Sequence, residues 1–152
     1  MEDKAKRLNK NNYFMEMAIL SSQRGTCLRM KVGCVLVYKN RIKSVGYNSS
    51  HPGTDHCEEV GCCLEKGHCI RTLHAEEAAV LNLEKRFHSG LEAYITHEPC
   101  LNCHKILAAA GVGKIYYLNN YGEFSKKEGD IKKSLNCTLI QIKKKGDRNG
   151  EI

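Results

Sequence analysis

The chain has 152 residues, 41% of them apolar and 27% charged, with a net charge of +7. That length fits a single domain over 1–152 with its own hydrophobic core and a basic tail from about 143, and the composition excludes a disordered chain. No apolar run is long enough to cross a bilayer, and Met1–Arg7 is followed by polar residues rather than a signal-peptide core, so a cytoplasmic protein is expected.

Residues 11–24 place Tyr13, Phe14, Met17, Ala18 and Leu20 at near-helical spacing, and Gly25 ends that helix. The β-branched run 32–38 and the segment Arg41–Tyr47, joined by Lys39-Asn40, predict an antiparallel hairpin. Residues 48–72 are rich in Gly, Ser, His and Cys and show no sustained period. A loop of that length is usually functional or tied down. A helix is predicted over 75–87, with Ala75, Ala78, Ala79, Leu81 and Leu83 on its apolar stripe. The strand Leu91–Thr96, the helix Cys100–Ala110 and the strand Ile115–Leu118 follow, then a weak helix over 123–135 and the strand Thr138–Ile142. Tyr116 and Tyr117 alternate within their strand, so one of them should face the core. Strands alternating with helices after an initial hairpin predict the α/β class. The expected architecture is a five-stranded mixed sheet flanked by helices, its last three strands joined by right-handed parallel crossovers.

The lysines at 126, 127, 132, 133 and 143–145 read as a solvated basic face. The 17 acidic residues are spread along the chain, tryptophan is absent and no aromatic–basic stripe appears, so nucleic acid is not the expected partner.

Nine cysteines in a chain with no signal peptide point to metal binding rather than disulfides. His74-Ala75-Glu76 opens one predicted helix, and Pro99-Cys100-Leu101-Asn102-Cys103 opens another, with one strand between them. Adjacent helices on one side of a sheet can bring both N-termini to the same edge, where His74, Cys100 and Cys103 can meet. One imidazole and two thiolates leave the fourth position of a tetrahedral zinc open to water, the arrangement of a catalytic zinc. The partial positive charge of both helix N-termini favours the thiolates. Glu76, two residues after His74, can reach the open position without ligating and can carry protons. H-x-E followed by P-C-x-x-C is the signature of the zinc nucleobase deaminases.

The resemblance extends well beyond this signature. It includes Tyr13-Phe14-Met15, Thr26-Cys27-Leu28-Arg29 with Val32-Gly33, and Gly46-Tyr47-Asn48. It continues through Asp55-His56-Cys57-Glu58-Glu59-Val60-Gly61-Cys62, Gly67–Glu76, Thr96–Cys100 and Ala110-Gly111-Val112. From about Tyr13 to Tyr121 the chain resembles the deoxycytidylate (dCMP) deaminases of the cytidine deaminase-like superfamily, most closely their late-competence-operon branch. That resemblance implies a three-layer α-β-α sandwich and the zinc-dependent hydrolysis of dCMP to dUMP and ammonia. It implies zinc on His74, Cys100 and Cys103, Glu76 as proton shuttle, and substrate contacts from Asn48, the backbone of Ala75, and Tyr121. It also implies a homo-oligomer, a hexamer in related enzymes, with dCTP and dTTP as effectors and Mg2+ accompanying a nucleotide effector.

Three positions depart from the family pattern. Ala78 stands where relatives carry asparagine, Ser49 where they carry glycine, and Gly122 where close relatives often carry arginine. Alanine and glycine cannot hold the polar or anionic groups that asparagine and arginine can. These departures keep open the same chemistry on another cytosine nucleotide or nucleoside, or on a base in nucleic acid. A non-catalytic, zinc-stabilised binding module is a third reading, disfavoured because Glu76 and all three ligand types are present.

A second group, Cys27, Cys57, Cys62 and Cys69, lies near or within the long loop, with His68 as a substitute ligand. A loop with few apolar residues cannot hold its shape by burial, and a closed four-ligand structural zinc would pin it. Related deaminases often carry such a zinc. Cys34 and Cys137 read as ordinary strand residues, and Cys63 as a neighbour rather than a ligand.

Overall fold

A computed structural model describes residues 7–85 and 89–143. Asn9 caps the first helix, α1 (Lys10–Ser22), its side chain accepting from the amide of Asn12. The hairpin β1 (Gly33–Tyr38) and β2 (Arg41–Tyr47) turns at Lys39 and Asn40, both with positive φ, as a tight two-residue turn requires. The long segment after β2 is tied down in short pieces: β3 (Ser49–Ser50), α2 (Cys57–Val60), β4 (Leu64–Glu65), β5 (His68–Cys69) and β6 (Thr72–Leu73). The remaining elements are α3 (Ala75–Leu81), β7 (Leu91–His97), α4 (Leu101–Ala109), β8 (Val112–Asn119), α5 (Lys126–Ser134) and β9 (Thr138–Gln141).

The main sheet has the order β2-β1-β7-β8-β9. Strand β1 is antiparallel to both β2 and β7, whereas β7, β8 and β9 run parallel, giving the mixed sheet expected from the sequence. Alternation along the strands sorts the core into two layers. Cys34, Leu36, Ala93, Ile95 and Ile115 pack with Ala75, Ala79 and Leu107 of α3 and α4. Val35, Val37, Tyr94, Tyr116 and Leu118 pack with Phe14, Met15 and Ala18 of α1. Of the two adjacent tyrosines, Tyr116 is the buried one, and its ring stacks on Tyr94 at 4.7 Å between centroids.

Two helices differ from expectation. Helix α1 buries Phe14, Met15, Ala18 and Ser21, while Tyr13 and Leu20 are 48% and 59% exposed. Its rotation is set by polar and steric contacts that a hydrophobic count misses. Ser21 donates to the carbonyl of Gly46, and Gly33 lies directly under the Ala18 carbonyl, where any Cβ would collide. Helix α3 ends at Leu81, which is 73% exposed, so the predicted stripe gives way to Ala75 and Ala79 in the core, with Val80 and Leu83 at its margin. Part of the helix predicted over 75–87, residues 86–87, lies outside the described residues, as does the basic tail beyond Lys143.

A second close approach positions α3. A Cβ on Gly46 of β2 would run into the carbonyl of Ala75 and the backbone of Ala79. Glycine there lets the first turn of α3 lie against the strand. Gly46→Ala should push that turn away and cost about 1–3 kcal/mol of stability in denaturant unfolding. An unchanged unfolding midpoint would mean that α3 is free to move off β2.

Candidate functional site

Three local structures bring the site together. The two-residue ladder of Ser49 with Leu73 and Ser50 with Thr72 ties the end of the long loop to the exit of β2 and delivers His74 to the start of α3. His74 occupies the N-cap, and its amide donates to Glu77 Oε2 at 2.8 Å. Cys100 occupies the N-cap of α4, at the carboxyl end of β7, and its carbonyl accepts from the amide of His104. Helices α3 and α4 are neighbours on one face of the sheet, so their N-termini converge.

The Sγ atoms of Cys103 and Cys100 lie 3.3 and 3.8 Å from His74 Nδ1. All three potential ligand atoms lie within 4.8 Å of one another and could hold one metal ion. Glu76, 4% exposed, sits beside them, and burial pushes its carboxyl up to about 7 against the opposing effects of its own backbone amide and His74. Without a metal the three side chains share protons. A hydrogen bond from Cys103 and the neighbouring His74 outweigh burial and bring Cys100 down to about 4. Hydrogen bonding to Cys100, reinforced by burial, drives Cys103 far above the ordinary thiol range. The bond to Cys100 outweighs burial and raises His74 to about 9. A divalent cation would replace these shared protons with three inner ligands, matching the donor chemistry of zinc.

A cleft of about 500 Å³, open to solvent, extends from this triad. Asn48, Ala75 and Tyr121, the substrate-contact residues implied by resemblance, all line it, and so do Arg29, His68 and Glu98. Asn48 is already engaged: its Oδ1 accepts from the amide of Val32 and its Nδ2 donates to the carbonyl of Met30. It therefore holds the segment before β1 as a wall of the cleft. Ala78, Ser49 and Gly122, the three departures from the family pattern, are not among the lining residues.

The second group also converges. Cys27, Cys57, Cys62 and Cys69 have their sulfurs within 4.8 Å of one another. Cys27 and Cys62 are 3.7 Å apart and Cys57 and Cys69 are 3.6 Å apart. Zinc–thiolate bonds of about 2.3 Å place sulfurs about 3.8 Å apart along a tetrahedral edge, so both pairs fit one zinc. Backbone amides support the thiolates. At Cys69, burial is outweighed by the amides of Arg71 and Thr72 and by its thiol neighbours, bringing it to about 6. At Cys27, burial prevails and the thiol is raised, although the amides of Met30 and Arg29 oppose it. Burial and hydrogen bonding to Cys69 push Cys57 up to about 12. His68 lies outside this group: its Nδ1 is 2.9 Å from the Tyr121 hydroxyl and the two rings stack. Cys63 is exposed and outside the group, and Cys34 and Cys137 are buried in the core.

The sequence reading did not single out Glu98, although Thr-His-Glu-Pro-Cys places it two residues before Cys100. It assigned Lys132 to a solvated face. The structure corrects that: Lys132 is 6% exposed and bonded to Glu98. The missed signal was Ser125 with Glu128, a capping pair that starts α5 and fixes which of its lysines turns inward.

The elevated Glu76 value has a consequence for stability. An ordinary carboxyl titrates near 4.5, so the fold favours the protonated form, and the penalty for ionisation is absent below about 4.5 and complete above about 7. In metal-free protein, Glu76→Gln should add roughly 3 kcal/mol at pH 8, and the gain should shrink as pH falls toward 4.5. A gain that is independent of pH in urea titrations would contradict a buried, proton-binding Glu76.

The model of the cytidine and deoxycytidylate deaminase zinc-binding region matches residues 8–119. The ComE operon protein 2 of Bacillus subtilis is 40% identical over 117 residues, covering 76% of this chain and 62% of that protein. The deoxycytidylate deaminase of Schizosaccharomyces pombe is 36% identical over 120 residues, covering 73% of this chain and 37% of that one. The chain thus spans less than two thirds of the length of both curated relatives. Among solved structures, the dCMP deaminase of cyanophage S-TIM5 in complex with dCMP and dUMP superposes with a TM-score of 0.75 at 32% identity, covering 90% of this chain and 99% of that one. The five-stranded mixed sheet, the converging triad and these similarities establish that the chain belongs to the cytidine and deoxycytidylate deaminase family.

Proposed function

We propose that the protein is a zinc-dependent hydrolase that converts dCMP and water to dUMP and ammonia. The observation that carries this reading is the buried Glu76 carboxyl beside the convergent His74, Cys100 and Cys103, with Glu76, His74 and Cys100 lining an open cleft. His74, Cys100 and Cys103 are the ligands in this reading, and when bound the zinc supplies the Lewis acidity that activates water at neutral pH.

The protein's own groups account for the proton traffic. Glu76 accepts a proton from the attacking water and returns it to the ring nitrogen of the cytosine. It then carries the second proton to the departing amino group, which leaves as ammonia. A buried carboxyl that does not ligate the metal is free to take and give protons. The backbone of Ala75, which lines the cleft at the start of α3, would help hold the base carbonyl. Asn48 keeps the opposite wall in place through Met30 and Val32. Tyr121, bonded to His68, bounds the cleft on a third side.

The relative that binds dCMP and dUMP supports this substrate. Cys27, Cys57, Cys62 and Cys69 would hold a second, structural zinc. Family resemblance alone supports a cytoplasmic homo-oligomer regulated by dCTP and dTTP, with Mg2+ accompanying the effector.

Ammonia release from dCMP, deoxycytidine, CMP and dCTP, offered in parallel to zinc-loaded protein, tests the reading. Turnover should favour dCMP, and Glu76→Gln should lower kcat at least a hundredfold while zinc content stays constant. Turnover that survives this substitution would overturn the role of Glu76, and preference for another substrate would overturn dCMP.

A further inference from the structure

The chain after Tyr121 lies beyond the part that matches the family model, yet α5 touches the approach to the site through one side chain. Helix α5 is almost entirely polar, and among its described residues only Lys132 is buried. Its Nζ donates to the carbonyl of Pro99 at 2.8 Å and to Glu98 Oε1 at 3.2 Å, and lies 3.3 Å from the centroid of the Phe124 ring. Burying an ammonium costs several kcal/mol unless it is paired and hydrogen-bonded. Here a carboxylate, a carbonyl and an aromatic face compensate it together. The two groups it grips belong to the residues immediately before Cys100. The other side of that segment is fastened to β8: the amide of Glu98 donates to the carbonyl of Asn119, and Asn119 Nδ2 donates to the carbonyl of Thr96. The approach to Cys100 is therefore held from two sides, and Lys132 is the only one of these contacts that comes from α5.

We propose that Lys132 is a positioning residue for the site: by holding Glu98 and Pro99 it fixes the backbone that presents Cys100 as a ligand. This rests on the reading of His74, Cys100 and Cys103 as the metal ligands. Lys132 itself is not among the residues lining the cleft, although its partner Glu98 is, so its loss should act on the site through the backbone before Cys100. The effect should also be local, because α5 contacts α4 and not the α1 face of the sheet.

The test is amide hydrogen exchange and steady-state kinetics on the zinc-loaded full chain, comparing wild type with Lys132→Met. Removal of the ammonium strands the Glu98 carboxylate, so Glu98→Gln with Lys132→Met serves as a second variant with no buried charge left alone. In either variant, the amides of Glu98, Cys100, Leu101 and Asn102 should exchange at least tenfold faster while those of β1 and β7 up to Thr96 keep their wild-type rates. With dCMP, Lys132→Met should lower kcat about tenfold or more. Wild-type exchange at these four amides would overturn the proposal, as would acceleration spread evenly over the sheet, which would make Lys132 a general stability contact. If wild-type protein turns over no cytosine substrate, the functional reading fails, while the exchange measurement still decides the role of Lys132.

Discussion

A three-ligand site tolerates little error in where its ligands stand, and in this fold that precision comes from the backbone at the starts of two helices. His74 and Cys100 are both N-cap residues, so neither can move without unwinding the first turn of its helix. Helix α3 is pressed onto β2 at Gly46, and α4 follows directly from β7 in the middle of the sheet. The parallel run of β7, β8 and β9 matters for the same reason. It places the carboxyl ends of these strands on one edge, where α/β folds bind their ligands. The buried carboxyl of Glu76 lies in the first turn of α3, next to its N-cap His74, so the proposed proton carrier and the proposed ligand share one turn of helix.

The cleft wall and the four-cysteine group are one structural unit. Cys27 and Cys69 line the cleft as well as belonging to the cysteine group. Lys31 strengthens the connection by bonding to Glu58 of α2 at 2.7 Å and to the carbonyl of Gly25. The segment between β2 and α3 has few buried apolar side chains besides its cysteines, so its shape cannot come from a hydrophobic core. Four thiol groups at tetrahedral spacing offer another source of rigidity. The His68–Tyr121 contact then carries that rigidity across the cleft to the loop after β8.

Different parts of this arrangement were legible in the sequence to different degrees. The spacing of His74, Glu76, Cys100 and Cys103 pointed to one edge of a sheet because each motif begins a helix and one strand separates them. The mixed sheet followed from a hairpin succeeded by alternating strands and helices. The face of α1 was not legible: the side chains that set its rotation are a serine hydroxyl and a glycine, which carry no hydrophobic signal. The stop of α3 at Leu81 was hidden by apolar residues that continue the period without being buried. Lys132 was hidden more deeply, because a buried lysine looks like a surface lysine until its partners Glu98, Pro99 and Phe124 are placed around it.

We propose that this backbone builds two metal centres from named residues, one open and one closed. Anomalous X-ray scattering at the zinc edge, from crystals of the full chain grown without chelator, tests it most directly. Two peaks per chain are expected, one within bonding distance of His74 Nδ1 and the sulfurs of Cys100 and Cys103, the other enclosed by the sulfurs of Cys27, Cys57, Cys62 and Cys69. A fully occupied peak bound by a fourth protein side chain at the first site, or no peak at either position in zinc-loaded protein, would contradict it.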